Sequence, residues 1–260
     1  MSVPVFGLAV RLRLAATLAA ALGMTAVIAM VGALFPAVGD SIGQLDLPEG
    51  VSDLLGGADY GSISGWMKSE IGAVYGPLVI GATAITGVAA TLAGEEEDGS
   101  LGLVLAYPVS RSALLLAKAA AVAVNVVVVA FGTFVGLLLG VLLAGGGIPV
   151  GHSAALALHL AVFGWVTGAL ALLIAGATGR RALAAGAAAG YAVLGFLVNG
   201  FAPLVDAIDW LKYLVPFHYY ADGDPLVHGV QAGNLAVLLV VTGVLMAAAV
   251  ALFARRDLRG

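Results

Sequence analysis

Six apolar segments, each about as long as a membrane-spanning helix, divide this chain of 260 residues. A helix needs about 20 mostly apolar residues to cross the hydrocarbon core of a bilayer. Apolar residues make up 62% of the chain and charged residues 10%, which leaves too little polar surface for a soluble protein of this size. The sequence therefore predicts an all-α membrane protein. Its six spans are approximately residues 14–36, 72–93, 115–144, 154–178, 182–204 and 230–254.

Glycine and proline mark the ends of several spans. Between Ala119 and Gly179 the chain contains no Asp, Glu, Lys or Arg, so the third and fourth spans lie in one continuous uncharged segment. The sequence GGGIPVGHS at 145–153 divides them, because such a run of helix breakers cannot continue a helix. Further ends are marked by Pro36, Pro108, Pro149 and Pro203.

The basic residues indicate the orientation of the chain. With six spans, nine of the eleven Lys and Arg residues fall on one face, and an excess of basic residues marks the cytoplasmic side. Both termini are therefore predicted to be cytoplasmic. A cleavable signal peptide is the alternative for residues 1–39, but the apolar segment after Arg13 is longer than the ~7–15 residues usual in such a peptide. The nine basic residues are Arg11, Arg13, Arg111, Lys118, Arg180, Arg181, Arg255, Arg256 and Arg259.

The inner loop after the second span opens with four consecutive acids, Glu95, Glu96, Glu97 and Asp98. The anionic inner leaflet of a membrane would repel them, so this segment suits a protein partner with basic grooves. A loop that only connects two spans is the simpler alternative. The residues alone do not decide between the two.

A short amphipathic helix is predicted directly after the acids, because Leu101, Val104 and Leu105 recur at helical spacing. The acids would stand just before this helix or in its first turn, where the helix dipole favours negative charge. Pro108 would end the helix, and Ser110 is the predicted N-cap of the third span.

The stretch AGEEEDGSLGLVLAYPVSRSALLLAK, residues 93–118, resembles the coupling-loop signature of type-2 ABC exporter permeases. That signature combines an acidic E-x-E-x-G-[TS]-L, a Leu-rich short helix and a P-[VI]-S-R turn. A second segment, LKYLVPFHYYADGDPL at 211–226, resembles the apolar-Ser-Pro-Phe-aromatic sequence of the family before its last span. The chain departs from the pattern at Val215, where the family often has Ser, and at Glu96, where a basic residue is frequent.

This resemblance covers essentially the whole chain and implies a single transmembrane permease domain over residues 1–260. It implies a cytoplasmic surface helix at about residues 2–12, a separate cytoplasmic ABC ATPase in two copies, and a second permease copy that is identical or similar. Lipid-like or drug cargo would be exported, or moved between leaflets, across the plasma membrane of a prokaryote. The implied ATPase-docking residues are Glu95, Glu96, Glu97, Asp98, Gly99, Ser100, Leu101, Leu105, Pro108 and Arg111.

Catalytic and metal-binding motifs are not found in the sequence. A phosphate-binding loop G-x-x-x-x-G-K-[ST] is absent, since none of Lys68, Lys118 and Lys212 follows a glycine. We therefore expect no catalytic residues and no cofactor on this chain, with ATP and Mg²⁺ bound by the partner ATPase. The four His residues lack ligand-like spacing, which predicts no metal site. Membrane lipids are expected contacts, and nucleic acid is not expected as a partner.

Two other classes of membrane protein remain as alternatives. Ion-coupled secondary transporters usually carry ionisable residues inside their spans. Here the interiors of the predicted spans lack Asp, Glu, Lys and Arg, and His159 is more readily explained by packing than by proton transfer. A non-transporting scaffold or assembly factor is the second alternative, but it would not need the acids, the proline turn or Arg111.

A few residues within the spans are candidates for a transport pathway or a subunit seam. Thr83 and Thr86 on the second span and Asn199 on the fifth are the polar groups that we expect to line a pathway, although hydrogen bonds between helices also explain them. Gly186 and Gly190 have the four-residue spacing that lets helices approach closely. Because the resembling family places its first and fifth spans in the dimer seam, these glycines are the candidates for that seam.

Overall fold

The computed structural model describes residues 3–42, 61–105 and 109–256, and within these ranges the chain is helical and contains no strand. All six predicted spans are confirmed as helices long and apolar enough to cross a membrane. They are α1 Val3–Ile42, α2 Ile63–Glu97, α4 Arg111–Leu143, α5 Val150–Thr178, α6 Arg181–Phe201 and α9 Ala232–Arg255. The shorter helices are α3 Ser100–Leu105, α7 Pro216–Ala221 and α8 Pro225–His228. Two 3₁₀ turns, Ala202–Leu204 and Asp209–Leu214, lie between α6 and α7.

The first helix differs from its prediction at both ends. A separate surface helix at residues 2–12 was expected, but α1 runs without a break from Val3 into the first span. Pro36 also lies inside α1 rather than at its end. The ring of a proline crowds the residue four positions earlier. That residue is Gly32, which packs directly on Gly140 of α4.

The second helix is longer than predicted and includes the acids. α2 begins at Ile63, contains π-helical turns at Lys68–Tyr75 and Ala89–Gly94, and ends at Glu97. Asp98 is its C-cap, and Gly99 follows in the left-handed region with φ 73°. Glu95–Glu97 therefore precede α3, which is one of the two predicted placements, but they do so as the last turn of α2. A glycine at this position is the commonest way to end a helix.

Two local predictions at the ends of α4 are confirmed. Ser110 caps its first turn, with the side-chain oxygen accepting a hydrogen bond of 3.2 Å from the Ala113 backbone N–H. After Leu143 the chain turns through three glycines with positive φ, Gly145–Gly147, before α5 begins. A side chain would be strained in that conformation, so the glycine run separates the third span from the fourth.

The bundle is built around α5, which packs against α2, α4, α6 and α9 and is the most buried span. On one side of this core, α1 lies along α4. Small residues permit the approach: a Cβ atom at Gly132 would lie 2.6 Å from the Ala21 carbonyl oxygen, and one at Gly140 would lie 2.7 Å from that of Ile28. The glycines of the third span therefore serve contacts within one chain.

Candidate functional site

The carboxylates in the last turn of α2 are bonded to basic residues of the same chain. Lys118 of α4 donates to Glu95 at 2.5 Å, Arg256 after α9 donates to Glu96, and the backbone N–H of Arg181 donates to Glu97 at 2.9 Å. The carbonyl end of a helix carries partial negative charge, which disfavours acids. The basic groups offset that effect. We term these six residues the charge junction: Glu95, Glu96, Glu97, Lys118, Arg181 and Arg256.

Glu96 is the most deeply buried acid of the charge junction, with 1% of its side chain exposed. Its partner Arg256 is partly exposed. Space for this pair is provided by Gly179, which ends α5 with φ 63° and has no side chain. A Cβ atom at Gly179 would lie 2.6 Å from Oε1 of Glu96. The end of α5 is thus shaped around a buried ion pair.

The charge junction connects four spans. The Lys118 side chain is only 3% exposed and also donates to the Thr91 carbonyl, so α4 is bonded to α2 at two points. Arg111, at the start of α4, donates to the Arg256 carbonyl at 2.6 Å. Together with the Arg181 contact, these bonds join the end of α2 to α4, α6 and α9.

The residues predicted to dock an ATPase divide into an inward and an outward set. Leu101 is 2% exposed and packs in the core, while Glu95, Glu96 and Arg111 bind partners within the chain. Ser100 is half-buried and donates to the Glu95 carbonyl. The side chain of Leu105 and all of Pro108 lie outside the described residues. Within residues 95–102, the exposed residues are Glu97, Asp98, Gly99 and Gly102.

The structure brings two of the three pathway candidates together. Thr83 and Thr86 line a groove between α1 and α2, whereas Asn199 lines a separate cavity beside Lys68. Sequence reasoning missed Arg13, whose guanidinium donates to the backbone carbonyl and side-chain oxygen of Thr86 at 3.2 and 3.1 Å. The sequence signal that could have identified Arg13 was an arginine with apolar segments before and after it in one helix.

The two candidate seam glycines lie on an open face of α6. A Cβ atom at Gly186 or Gly190 would meet no other atom within 4 Å, apart from the backbone of its own helix. Large apolar side chains around them are exposed, among them Leu183 and Leu194. The face is available to a second copy, and the seam itself stays a prediction.

The opposite end of the bundle is held by a second set of polar contacts. Lys68 pairs with Asp224 at 2.9 Å, and the buried Tyr220 hydroxyl donates to the Gly72 carbonyl at 2.7 Å. Burial raises the pKa of Tyr220, so the hydroxyl stays a donor. Burial also lowers the pKa of His218, although the nearby Asp222 opposes this.

The sequence of this chain matches a known family of membrane permeases. Residues 3–254 match the family described as multidrug efflux system permease Rv1217c, C-terminal domain. A search of curated proteins found no match. The family match covers nearly the whole chain and is consistent with the resemblance to ABC exporter permeases. This chain belongs to the family of the multidrug efflux system permease Rv1217c, C-terminal domain.

Proposed function

We propose that this chain is the permease subunit of an ATP-driven ABC exporter and that a separate cytoplasmic ATPase docks on α3 and the exposed acids beside it. Membership of an efflux permease family supports the class. The observation that carries the coupling is the charge junction, because it bonds the turn before α3 to α4, α6 and α9. A force applied at α3 would reach four spans through these bonds.

The docking surface comprises Glu97, Asp98 and Gly102, which are exposed at the end of α2 and in α3. The two acids suit basic grooves on a partner, and the absence of a side chain at Gly102 leaves open space for a protruding group. ATP and Mg²⁺ bind to the ATPase. Its closure on ATP would displace α3 and shift the permease between two states, so that binding energy at one site changes a distant one.

Two permease copies and two ATPase subunits would form the working unit in a prokaryotic plasma membrane. The largely exposed faces of α1 and α6, including Gly186 and Gly190, would meet in the seam between copies. A second chain of similar sequence in place of an identical copy would use the same faces. The family description names multidrug efflux, and the apolar span surfaces suit a drug-like or lipid-like cargo.

Co-purification tests the docking proposal. The chain is expressed with the ABC ATPases of its source organism, one at a time, as wild type and as the double variant Glu97→Lys, Asp98→Lys. The matched control is Asp206→Lys, Asp222→Lys, because these acids are also exposed but lie at the opposite end of the bundle. Changing Glu95 or Glu96 is avoided, since either change would break an internal ion pair, whereas a change at Glu97 removes only the hydrogen bond from the Arg181 backbone N–H.

We expect one ATPase to co-purify with the wild type and with the control, and to be lost from the Glu97, Asp98 variant while that variant still inserts and folds. ATP turnover in the same preparations should follow the amount of complex. Equal retention in both variants would place the docking surface elsewhere. If no ATPase binds the wild type, the ABC proposal is wrong and the scaffold alternative gains support.

A further inference from the structure

We infer that the groove between α1 and α2 binds the phosphate of an anionic phospholipid through Arg13. The groove is lined by α1 residues on one side and α2 residues on the other, including Thr17, Thr83 and Thr86. The exposed apolar side chain of Leu78 also lines it, so the groove opens towards the lipid rather than into the bundle. This inference is independent of ATPase docking.

In the part of the chain that the structure describes, residues 3–42, 61–105 and 109–256, Arg13 is a cation without a carboxylate counter-ion. Its guanidinium has five N–H donors, and two bonds to Thr86 leave the others without an acceptor. Nε is buried and has no hydrogen-bond partner. The positive charge of Arg181 adds repulsion, so an anion bound in the groove would be stabilised.

The guanidinium of Arg13 is held near one edge of the hydrocarbon core, just inside the level of the lipid headgroups. α2 is 35 residues long, or about 52 Å, so a ~30 Å hydrocarbon core leaves roughly 11 Å of helix outside at each end. Thr86, which holds the guanidinium, lies about 16 Å from Glu97 along this helix. For a helix perpendicular to the bilayer and centred in it, Thr86 therefore lies roughly 5 Å inside the hydrocarbon boundary. An unpaired charge is costly there unless a headgroup is drawn to it.

The charge balance favours an anionic lipid over a zwitterionic one. Arg11 and Arg180 add further exposed positive charge at this end of the bundle. A zwitterionic headgroup carries its own cation, which would be repelled by Arg13 and Arg181, whereas phosphatidylglycerol carries only the negative phosphate. Hydrogen bonds from a guanidinium to phosphate oxygens are charge-assisted, and the N–H groups of Nη1 and Nη2 that Thr86 does not use can donate them.

Thermal unfolding in detergent tests this site, with added phosphatidylglycerol, phosphatidylcholine or inorganic phosphate. At about ten times its half-saturating concentration, phosphatidylglycerol should raise the Tm of the wild type by about 3–6 °C. Phosphatidylcholine should have a smaller effect, and inorganic phosphate none. Arg13→Gln should lose the shift, whereas Arg11→Gln, which removes an exposed charge from the same helix, should keep it.

Several outcomes would overturn the inference. Equal losses in both variants would indicate diffuse attraction, and an equal effect of inorganic phosphate would indicate a simple anion site. If the lipid has no effect and Arg13→Gln instead weakens the permease dimer, the counter-ion is a carboxylate of a second copy. Should Arg13→Gln fail to fold, Leu78→Trp supplies a reporter at the groove: brominated phosphatidylglycerol must quench it more than brominated phosphatidylcholine at equal mole fraction.

Discussion

Removing Glu95 should destabilise the protein because it leaves the Lys118 ammonium buried without its counter-ion. Only 3% of the Lys118 side chain is exposed, and Thr91 supplies its other acceptor through a neutral carbonyl. Breaking a buried ion pair from one side costs about 3–5 kcal/mol. Glu95 also lies at the unfavourable end of a helix dipole, and relief from that position returns about 0.3–1 kcal/mol. We expect Glu95→Ala to lower the free energy of unfolding by about 2–4 kcal/mol.

Lys118→Met should be less destabilising than Glu95→Ala. Glu95 is 23% exposed, so its carboxylate can be hydrated again once Lys118 is gone. The double variant Glu95→Ala, Lys118→Met removes both charges and should recover most of the stability lost in Glu95→Ala. The coupling energy in this double-mutant cycle should reach about 2 kcal/mol. Denaturant unfolding in mixed micelles measures all four proteins.

Asp98→Ala is the matched control, since Asp98 is an exposed acid three residues along the same chain. Its effect should stay within about 0.5 kcal/mol. The argument fails if Glu95→Ala is no more destabilising than this control. It also fails if the double variant is no more stable than Glu95→Ala, because the cost would then come from something other than a stranded ammonium.

Three further predictions concern packing, pH and assembly. Gly132→Ala should lower the free energy of unfolding by about 1–3 kcal/mol, because the new Cβ would lie 2.6 Å from the Ala21 carbonyl oxygen. Gly186→Ala adds its Cβ in open space and should be neutral or stabilising, as a comparison of Tm values would show. Burial lowers the pKa of His218, so neutral His218 contributes its full stability above about pH 6.5 and loses it as the pH falls. Between pH 7 and 5, the Tm of the wild type should therefore fall by more than the Tm of His218→Gln. Gly186→Trp should reduce the dimer fraction seen by light scattering without lowering the Tm of the monomer.

The spans and caps could be predicted because their causes are local. Each span needs its own ~20 apolar residues, and the N-cap at Ser110 depends on contacts three residues away. The glycine break at 145–147 is equally local. A signal for the end of α2 was also present: Asp98 followed by Gly99 is typical of a helix C-terminus. The prediction for these acids rests instead on their preference for the first turn of α3, whereas the acids lie before that helix and end α2.

The partners of the acids could not be predicted, because they depend on the tertiary fold. Glu96 meets Arg256 only when α9 returns to the same end of the bundle as α2, and Glu97 meets Arg181 only when α6 begins there. The even number of spans predicts that these acids and basic residues lie at the same end of the bundle. It does not predict which acid meets which basic residue. The tertiary contacts therefore decide which basic residue each acid meets, whereas the local sequence at Asp98 and Gly99 ends α2.

Stability alone does not explain why a chain with so few charged residues buries Glu96 and Lys118 in the charge junction. Replacing a buried ion pair by apolar residues is often neutral or stabilising, so such pairs are retained for another reason where they are retained at all. Here the bonds fix the position of α3 relative to four spans. If that is their role, Glu95→Ala, Lys118→Met should fold and still bind the ATPase, yet transport less cargo per ATP hydrolysed. Unchanged transport in this variant would show that α4 receives no motion through Lys118.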